Sequence, residues 1–191
     1  MEQRCAWVPT NDTLYLKYHD LEWGVPVHDD RVWFEFLILE GFQAGLSWRT
    51  ILNKREGFRQ AFDSFDPQKI ALYNEKKIAE LLSNSGIIRN QSKIRSSILN
   101  ARAFLTVQEE FSSFNSYIWR FVDGRPKVNA WKSIADIPAR STESEVLSKD
   151  LIQRGFRYVG STICYAHMQA TGMVNDHTTE CFRYKELIVI G

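Results

Sequence analysis

Helical periodicity runs through most of this chain. Val32, Phe34, Phe36, Leu37 and Leu39 predict a largely buried helix that starts at Asp29 and Asp30, acids favoured at a helix N-terminus, and ends at Glu40. A loop over residues 41–45 follows. Trp48, Ile51, Leu52, Phe58 and Phe62 then predict a second helix with Ser47 as its N-cap. Asp66-Pro67 opens a short helix, proline being welcome in the first turn. Ile78, Leu81 and Leu82 lie on a helix that stops around 84–86, and Ile94, Ile98, Leu99, Ala101 and Phe104 on a long one after it. Phe114, Ile118, Phe121 and Val122 give one more helix before the turn Asp123-Gly124-Arg125-Pro126. Ser141 or Thr142 caps a helix carrying Val146, Leu147 and Leu151 that ends at Gly155, and 160–172 reads as the last core helix. Strand signals are few and short. The pattern predicts an all-α fold, one domain over 1–191, without repeats, low-complexity segments or linkers.

Composition changes this picture little: 44% hydrophobic and 25% charged residues are ordinary for a soluble protein. No apolar stretch approaches membrane-spanning length, since 34–42 is broken by Glu35 and Glu40. The N-terminus lacks the apolar core of a signal peptide, and three cysteines argue against a secreted disulfide framework, so a cytoplasmic protein is expected. Net charge is +1, but its distribution is uneven. Residues 81–108 contain no acid and carry Arg89, Lys93, Arg95 and Arg102; residues 151–175 contain none and carry Arg154 and Arg157. A basic face on a near-neutral protein suits a polyanion met on one side, although two solvated helix faces would look the same.

Four of the seven cysteines and histidines fall in two terminal pairs, Cys5 with His19 and His177 with Cys181. His177 and Cys181 are four apart, on one face of a helical turn. Two thiolates and two imidazoles fill a tetrahedral zinc shell and leave no position for substrate or water. Such a site would clasp the ends of the chain. The remaining members, His28, His167 and Cys164, read as a surface histidine, a core histidine and a buried apolar thiol.

Three further features carry candidate chemistry. The segment S-G-I-I-R-N-Q-S-K-I, 85–94, joins two helices by a turn at Gly86 and places Arg89 and Lys93 at the start of the second, an arrangement that can bind phosphate. Taken alone it is an ordinary helix–helix connection. Trp7, Tyr15, Tyr18, Trp23, Trp33 and Trp48 crowd the N-terminal third; they are core residues or flat walls for an extruded base. Glu40 closes an apolar run, and pattern alone points it to solvent. A semi-buried Glu40 beside Tyr18 and Trp48 would instead accept hydrogen bonds from a base's exocyclic amine.

Taken together, C-A-W (5–7), Y-H-D-L-E-W-G-V-P (18–26), L-E-G-F-Q-A-G-L-S-W (39–48), S-G-I-I-R (85–89), G-F-R-Y-V-G-S-T-I-C-Y (155–165) and V-N-D-H-T-T-E-C (174–181) resemble the bacterial DNA-3-methyladenine glycosylase I family over residues 4–182. Ala6 and Ser92 stand where that family often has glycine. The resemblance implies a helix–hairpin–helix glycosylase fold, with the hairpin at about 78–104, and one structural zinc ion held by Cys5, His19, His177 and Cys181. It implies that Glu40 is the catalytic-site carboxylate, and that Tyr18, Glu40, Trp48, Trp7 and Trp23 bind the base. Ala44, Gly45 and Leu46 would enter the duplex, and Gly86, Arg89 and Lys93 would hold its backbone.

The implied activity is hydrolysis of the N-glycosidic bond of 3-methyladenine in double-stranded alkylated DNA, by a monomer that needs no membrane and has no lyase step. Enzymes of that superfamily mostly carry a catalytic aspartate downstream of the hairpin, yet residues 81–108 hold no carboxylate. Either the protein is a non-catalytic damaged-DNA-binding module, or its substrate needs little help. A base made cationic by N3-methylation is already a good leaving group, and extrusion with stacking suffices.

Overall fold

Asp12 caps the first helix: its carboxylate accepts the Tyr15 N–H and opens α1 (Thr13–Leu21). The computed structural model describes residues 3–190; residues 1, 2 and 191 of the expected domain lie outside the described residues. Asp29 caps α2 (Asp30–Gln43) through the N–H groups of Arg31 and Val32. Every residue of α2 from 33 to 42 is buried, because α3, α6, α7 and α9 pack around it. A helix covered on all sides carries no polar stripe.

The α2 helix does not end at Glu40. It runs on to Gln43 and the expected 41–45 loop shrinks to 44–47. Gly41 stays helical at a close approach: a Cβ there would lie 3.3 Å from the Cβ of Tyr158. Ser47 caps α3 (Trp48–Ala61) by accepting the Thr50 N–H, as expected. Asp66 and Pro67 open α4 (Pro67–Ile70), after which Asn74 caps α5 (Glu75–Ser83) and Asn90 caps the long α6 (Gln91–Phe111). The helix expected over Phe114–Val122 is instead α7 (Phe114–Ile118) continued by a 3₁₀ turn, Trp119–Val122. It stops at Asp123, whose φ of +55° breaks the helical path.

Beyond this turn β1 (Lys127–Val128) pairs in parallel with β2 (Val174–Asn175), the one small sheet among the described residues. Between them lie α8 (Thr142–Gln153), capped by Ser141, and α9 (Ser161–Ala170). A further helix, α10 (Phe182–Ile190), follows the span read as the last core helix, and its Leu187 is buried. The fold is predominantly helical, and none of its helices is long and apolar enough to cross a membrane. Trp33 belongs to the core, packed against Trp119, Phe114 and His167, and not to the aromatic wall near the N-terminus.

The α5–α6 connection is held from behind. Asn84 accepts the Gly86 N–H, and Lys54 of α3 donates to the Ser85 carbonyl at 2.7 Å. Gly86 also presses on Gly57 of α3, where a Cβ would lie 2.5 Å from the Gly86 carbonyl oxygen. Gly57→Ala should therefore lower stability by about 1–3 kcal/mol, the usual range for overpacking, despite alanine's roughly 1 kcal/mol helical advantage. Gly45→Ala, at φ +79° with nothing within 4 Å, tests backbone strain alone. Thermal unfolding should rank Gly57→Ala below Gly45→Ala in midpoint; the reverse order would show that the helix–turn contact yields easily.

Candidate active site and metal centre

A cavity of about 420 Å³ opens where α1, the last turns of α2 and the start of α3 face α9 and the 134–139 segment. On its first side stand Tyr18 from α1, Glu40 from α2 and Trp48 from α3, with Trp7 and Trp23 beside them. The five residues expected to bind a base thus do meet at one cavity. Tyr18 and Trp48 have ring centroids 5.4 Å apart, and Trp7 meets Trp23 edge-on at 5.0 Å. Behind Trp48 lies Phe36, nearly parallel at 6.4 Å, and behind Phe36 the Arg55 guanidinium at 5.1 Å from the ring.

Glu40 is 4% exposed, so the solvent-facing orientation that pattern favoured is overturned. The cause is the helix: α2 has no solvent side at this turn. The other carboxylate on the buried stretch, Glu35, accepts from Arg55 and Arg59. Among the described residues Glu40 has no hydrogen-bond or ion-pair partner, and burial alone pushes its pKa up to about 8. Burial, and then the neighbouring Glu40, hold the Tyr18 hydroxyl well above the ordinary phenol range. The Trp48 Nε1–H is buried without an acceptor. A buried polar group left unmet costs about 1–3 kcal/mol, so a carboxyl without a partner on a π-rich cavity is a group that a polar, flat ligand can satisfy.

The opposite wall was not legible in the sequence. It consists of Tyr165 and Gln169, one helical turn apart on α9, and of the irregular stretch with Ile137 and Pro138. Asp176 ties α9 to the chain that enters this stretch. This fully buried carboxylate accepts from Asn129, Trp131 and Tyr165 at 2.7 Å each and from Gln169 at 2.8 Å. In the sequence it stood only as the end of the acid-free span 151–175 and as an unassigned member of the 174–181 motif.

Ala44 is half-buried, and Gly45 and Leu46 are exposed, in the loop just past Glu40. Gly86 and Arg89 lie in the α5–α6 connection, where the Arg89 side chain is exposed and has no partner among the described residues. Lys93 departs from its expected place. Its side chain is turned inward and 8% exposed, and Nζ donates to the carbonyls of Phe42 at 2.8 Å and Ala44 at 2.6 Å. The two carbonyls at the C-terminal end of α2 hold the ammonium, whose pKa burial lowers, and turn it away from a phosphate. His28 is exposed, Cys164 is buried with its thiol donating to the Val159 carbonyl, and His167 is a core residue with neither ring nitrogen partnered, its pKa lowered to about 3 by burial.

Cys5, His19, His177 and Cys181 converge, all buried, with their donor atoms within 4.8 Å of one another. The Cys181 sulfur lies 3.5 Å from His19 Nε2 and 3.4 Å from His177 Nδ1, and the Cys5 sulfur 3.5 Å from His177 Nδ1. A tetrahedron with bonds of about 2.3 Å to sulfur and 2.0–2.1 Å to nitrogen has S···N edges of about 3.6 Å, so the set fits a metal ion of that geometry. The outer ring nitrogens are engaged: His19 Nδ1 lies 2.8 Å from Asp20, itself clamped by Arg4, and His177 Nε2 lies 3.0 Å from the Trp23 carbonyl. Both contacts leave the inner nitrogens free to ligate.

A family model described as methyladenine glycosylase matches residues 7–184. The chain is 47% identical over 182 residues to DNA-3-methyladenine glycosylase 1 of Escherichia coli, covering 95% of this chain and 97% of that protein. It is 44% identical over 181 residues to the DNA-3-methyladenine glycosylase of Haemophilus influenzae, covering 95% and 97%. Among solved structures, a 3-methyladenine DNA glycosylase I (TAG) aligns with a TM-score of 0.91 at 51% identity, over 94% of this chain and 98% of that one. The Staphylococcus aureus 3-methyladenine DNA glycosylase I, solved for the structural basis of 3-methyladenine recognition, aligns with a TM-score of 0.90 at 34% identity, over 94% and 95%.

The raised Glu40 pKa makes a signed stability prediction. The unfolded chain loses this proton near 4.5, whereas the folded protein holds it up to about 8, so folding loses stability as pH rises through that window. Glu40→Gln removes the ionisation. Unfolding measured across the window should show the variant matching wild type at the acid end and gaining on it toward the alkaline end, by at most roughly 5 kcal/mol. A gain independent of pH would show that the carboxyl is not the group concerned.

Proposed function

The chain belongs to the methyladenine glycosylase family, and from that premise we propose that it excises 3-methyladenine from double-stranded alkylated DNA, hydrolysing the N-glycosidic bond and leaving an abasic site for base-excision repair. The observation that carries this reading is the unpaired carboxyl of Glu40 between Tyr18 and Trp48 in a cavity of about 420 Å³. A module that only gripped the DNA backbone has no use for an acceptor buried at that cost.

The extruded base stacks against Tyr18 and Trp48, with Trp7 and Trp23 closing the aromatic side. Glu40 accepts from the exocyclic amine, and a cationic base brought beside it favours the ionised carboxyl, so the proton it holds in the empty cavity leaves as the base enters. The bond from C1′ to N9 then breaks with its electron pair passing to the base, which departs neutral. Water adds to C1′ and yields its proton to solvent. Glu40 is thus a recognition and electrostatic group and does not activate the water. No lysine lines the cavity among the described residues, which supports hydrolysis without a lyase step.

The α5–α6 connection supports a helix–hairpin–helix reading over about 78–104, with Gly86 and Arg89 at the DNA backbone and Ala44, Gly45 and Leu46 entering the duplex beside the lesion. Residues 1–191 act as one domain and as a monomer, in the bacterial cytoplasm. The terminal cluster holds one structural zinc ion, supported by its sulfur and nitrogen donors and their 3.4–3.5 Å edges. Bound zinc supplies a closed cross-link between the chain's ends and no open coordination position.

Incubation with methylated duplex DNA and chromatography of the released bases tests the function. Free 3-methyladenine is expected above background; binding of methylated DNA with no release would establish the binding-module reading instead. Glu40→Gln should weaken binding of free 3-methyladenine about tenfold or more, which fluorescence titration reads, and an unchanged affinity would remove Glu40 from recognition. Cys181→Ser should lower zinc content and the unfolding midpoint while sparing base binding by the molecules that remain folded. Lost binding with zinc and fold intact would contradict a structural role.

A further inference from the structure

We propose that Lys93 is a positioning residue that locks the 44–46 loop to the helix behind the hairpin, so that a grip on the DNA backbone and insertion beside the lesion are one rigid event. The inference deepens the proposed function, but the lock itself is a property of the free protein.

The C-terminus of α2 lacks an ordinary cap. Ala44, with φ −46° and ψ +116°, makes no capping N–H bond, and the chain turns with only the Leu46 N–H donating to the Gln43 carbonyl. The carbonyls of Phe42 and Ala44 are instead met by one side chain from elsewhere in the fold, Lys93, the third residue of α6. Its position is held in turn. The Asn90 side chain accepts the Lys93 backbone N–H, and the Tyr158 ring lies 5.8 Å from Nζ while its hydroxyl bonds Ser92, the residue before. The far end of the loop is fixed by Ser47, the cap of α3.

Between these anchors the loop has little of its own to hold its direction. Gly45 has φ +79° with nothing within 4 Å of a would-be Cβ, and Leu46 is 42% exposed. Its pose therefore depends on its ends, and one end is a lysine from the helix whose preceding residues carry Arg89, exposed and unpartnered among the described residues. The segment 89–93 points one cation outward and one inward. Pulling the first onto a phosphate moves the loop through the second.

Two measurements on Lys93→Met, Lys93→Arg and Arg89→Gln test this. In the free protein, amide hydrogen exchange at Leu46 should quicken at least tenfold in Lys93→Met and return most of the way in Lys93→Arg; exchange unchanged from wild type would overturn the lock whatever the enzyme does. With methylated duplex DNA at saturation, the single-turnover release of 3-methyladenine should fall at least tenfold in Lys93→Met while binding of free 3-methyladenine changes less than twofold. In Arg89→Gln the duplex affinity and its salt dependence should fall, the signature of a lost phosphate contact. If Lys93→Met behaves as Arg89→Gln does, Lys93 is a phosphate contact and the proposal is wrong. It is equally wrong if free-base binding and release fall together, which would mean that Lys93 only supports the pocket. Should Lys93→Met lose helicity, Lys93→Gln, uncharged and one atom shorter, replaces it in both measurements. Absence of any base release by the wild-type protein would overturn the proposed function and leave the exchange result standing.

Discussion

A helix buried on every side is the constraint from which the rest of this structure follows. Once α2 is enclosed by α3, α6, α7 and α9, each polar group on it must be matched or left open for a reason. Two carboxylates lie on the enclosed stretch, and they have opposite fates. Glu35 is neutralised by Arg55 and Arg59, with Glu22 of the α1 end joining Arg55 from the other side, so three elements are pinned around one guanidinium. Glu40, one turn and a half further along, has no such partner and faces the cavity. The same helix ends with unmet carbonyls, which Lys93 satisfies. Pocket acid, ion-pair hub and loop anchor are consequences of enclosing one helix.

This also explains what the sequence could and could not reveal. Some helix starts were legible where a short polar side chain reaches back to the backbone: Ser47 and Ser141 cap as expected, and Asp29 and Asp66 stand where their helices open, whereas Asp12 and the helix α1 that it caps were not read. The inward turn of Glu40 was not, because a helix buried all round has no polar face against which a misplaced acid would stand out. Lys93 looked like one more cation in an acid-free basic span, and nothing local distinguishes it from Arg89; its partners lie about fifty residues away in sequence. The second wall of the cavity hangs on Asp176 and on residues 134–139, a stretch without periodicity, so neither propensity nor spacing marks it. The four terminal Cys and His residues were legible as a set because thiols and imidazoles together are donors that could hold a metal ion.

The metal cluster and the cavity are neighbours, and they share backbone. His19 follows Tyr18 directly, the Trp23 carbonyl engages His177, and Trp7 meets His19 edge-on at 5.2 Å. Asp176, which fastens the far wall, precedes His177. On the proposed function, a closed zinc site holds both sides of the cavity, and its four protein donors leave no place for substrate. Tyr18 at the cavity and Asp176 behind its far wall each adjoin a cluster residue.

On the proposed function, the unpaired Glu40 also accounts for discrimination. A glycosylase meets a vast excess of undamaged adenine, which presents the same exocyclic amine and the same flat face but no charge. A pocket lined by a permanently ionised carboxylate with a buried counterion would treat the two bases nearly alike, because its charge would already be satisfied. Here burial holds the proton on Glu40 to a pH of about 8, so at neutral pH the empty site presents a neutral acid. A neutral base gives that acid no reason to ionise, and its amine meets only the weaker carbonyl acceptor of a protonated carboxyl. A cationic base supplies the missing counter-charge, and the carboxylate formed in response is a stronger, charge-assisted acceptor for the amine. Specificity is a difference of binding energies, and here the difference is switched by the charge that alkylation itself creates. The same charge weakens the glycosidic bond. One property of the lesion therefore opens the pocket to it and makes a catalytic base near the hairpin unnecessary.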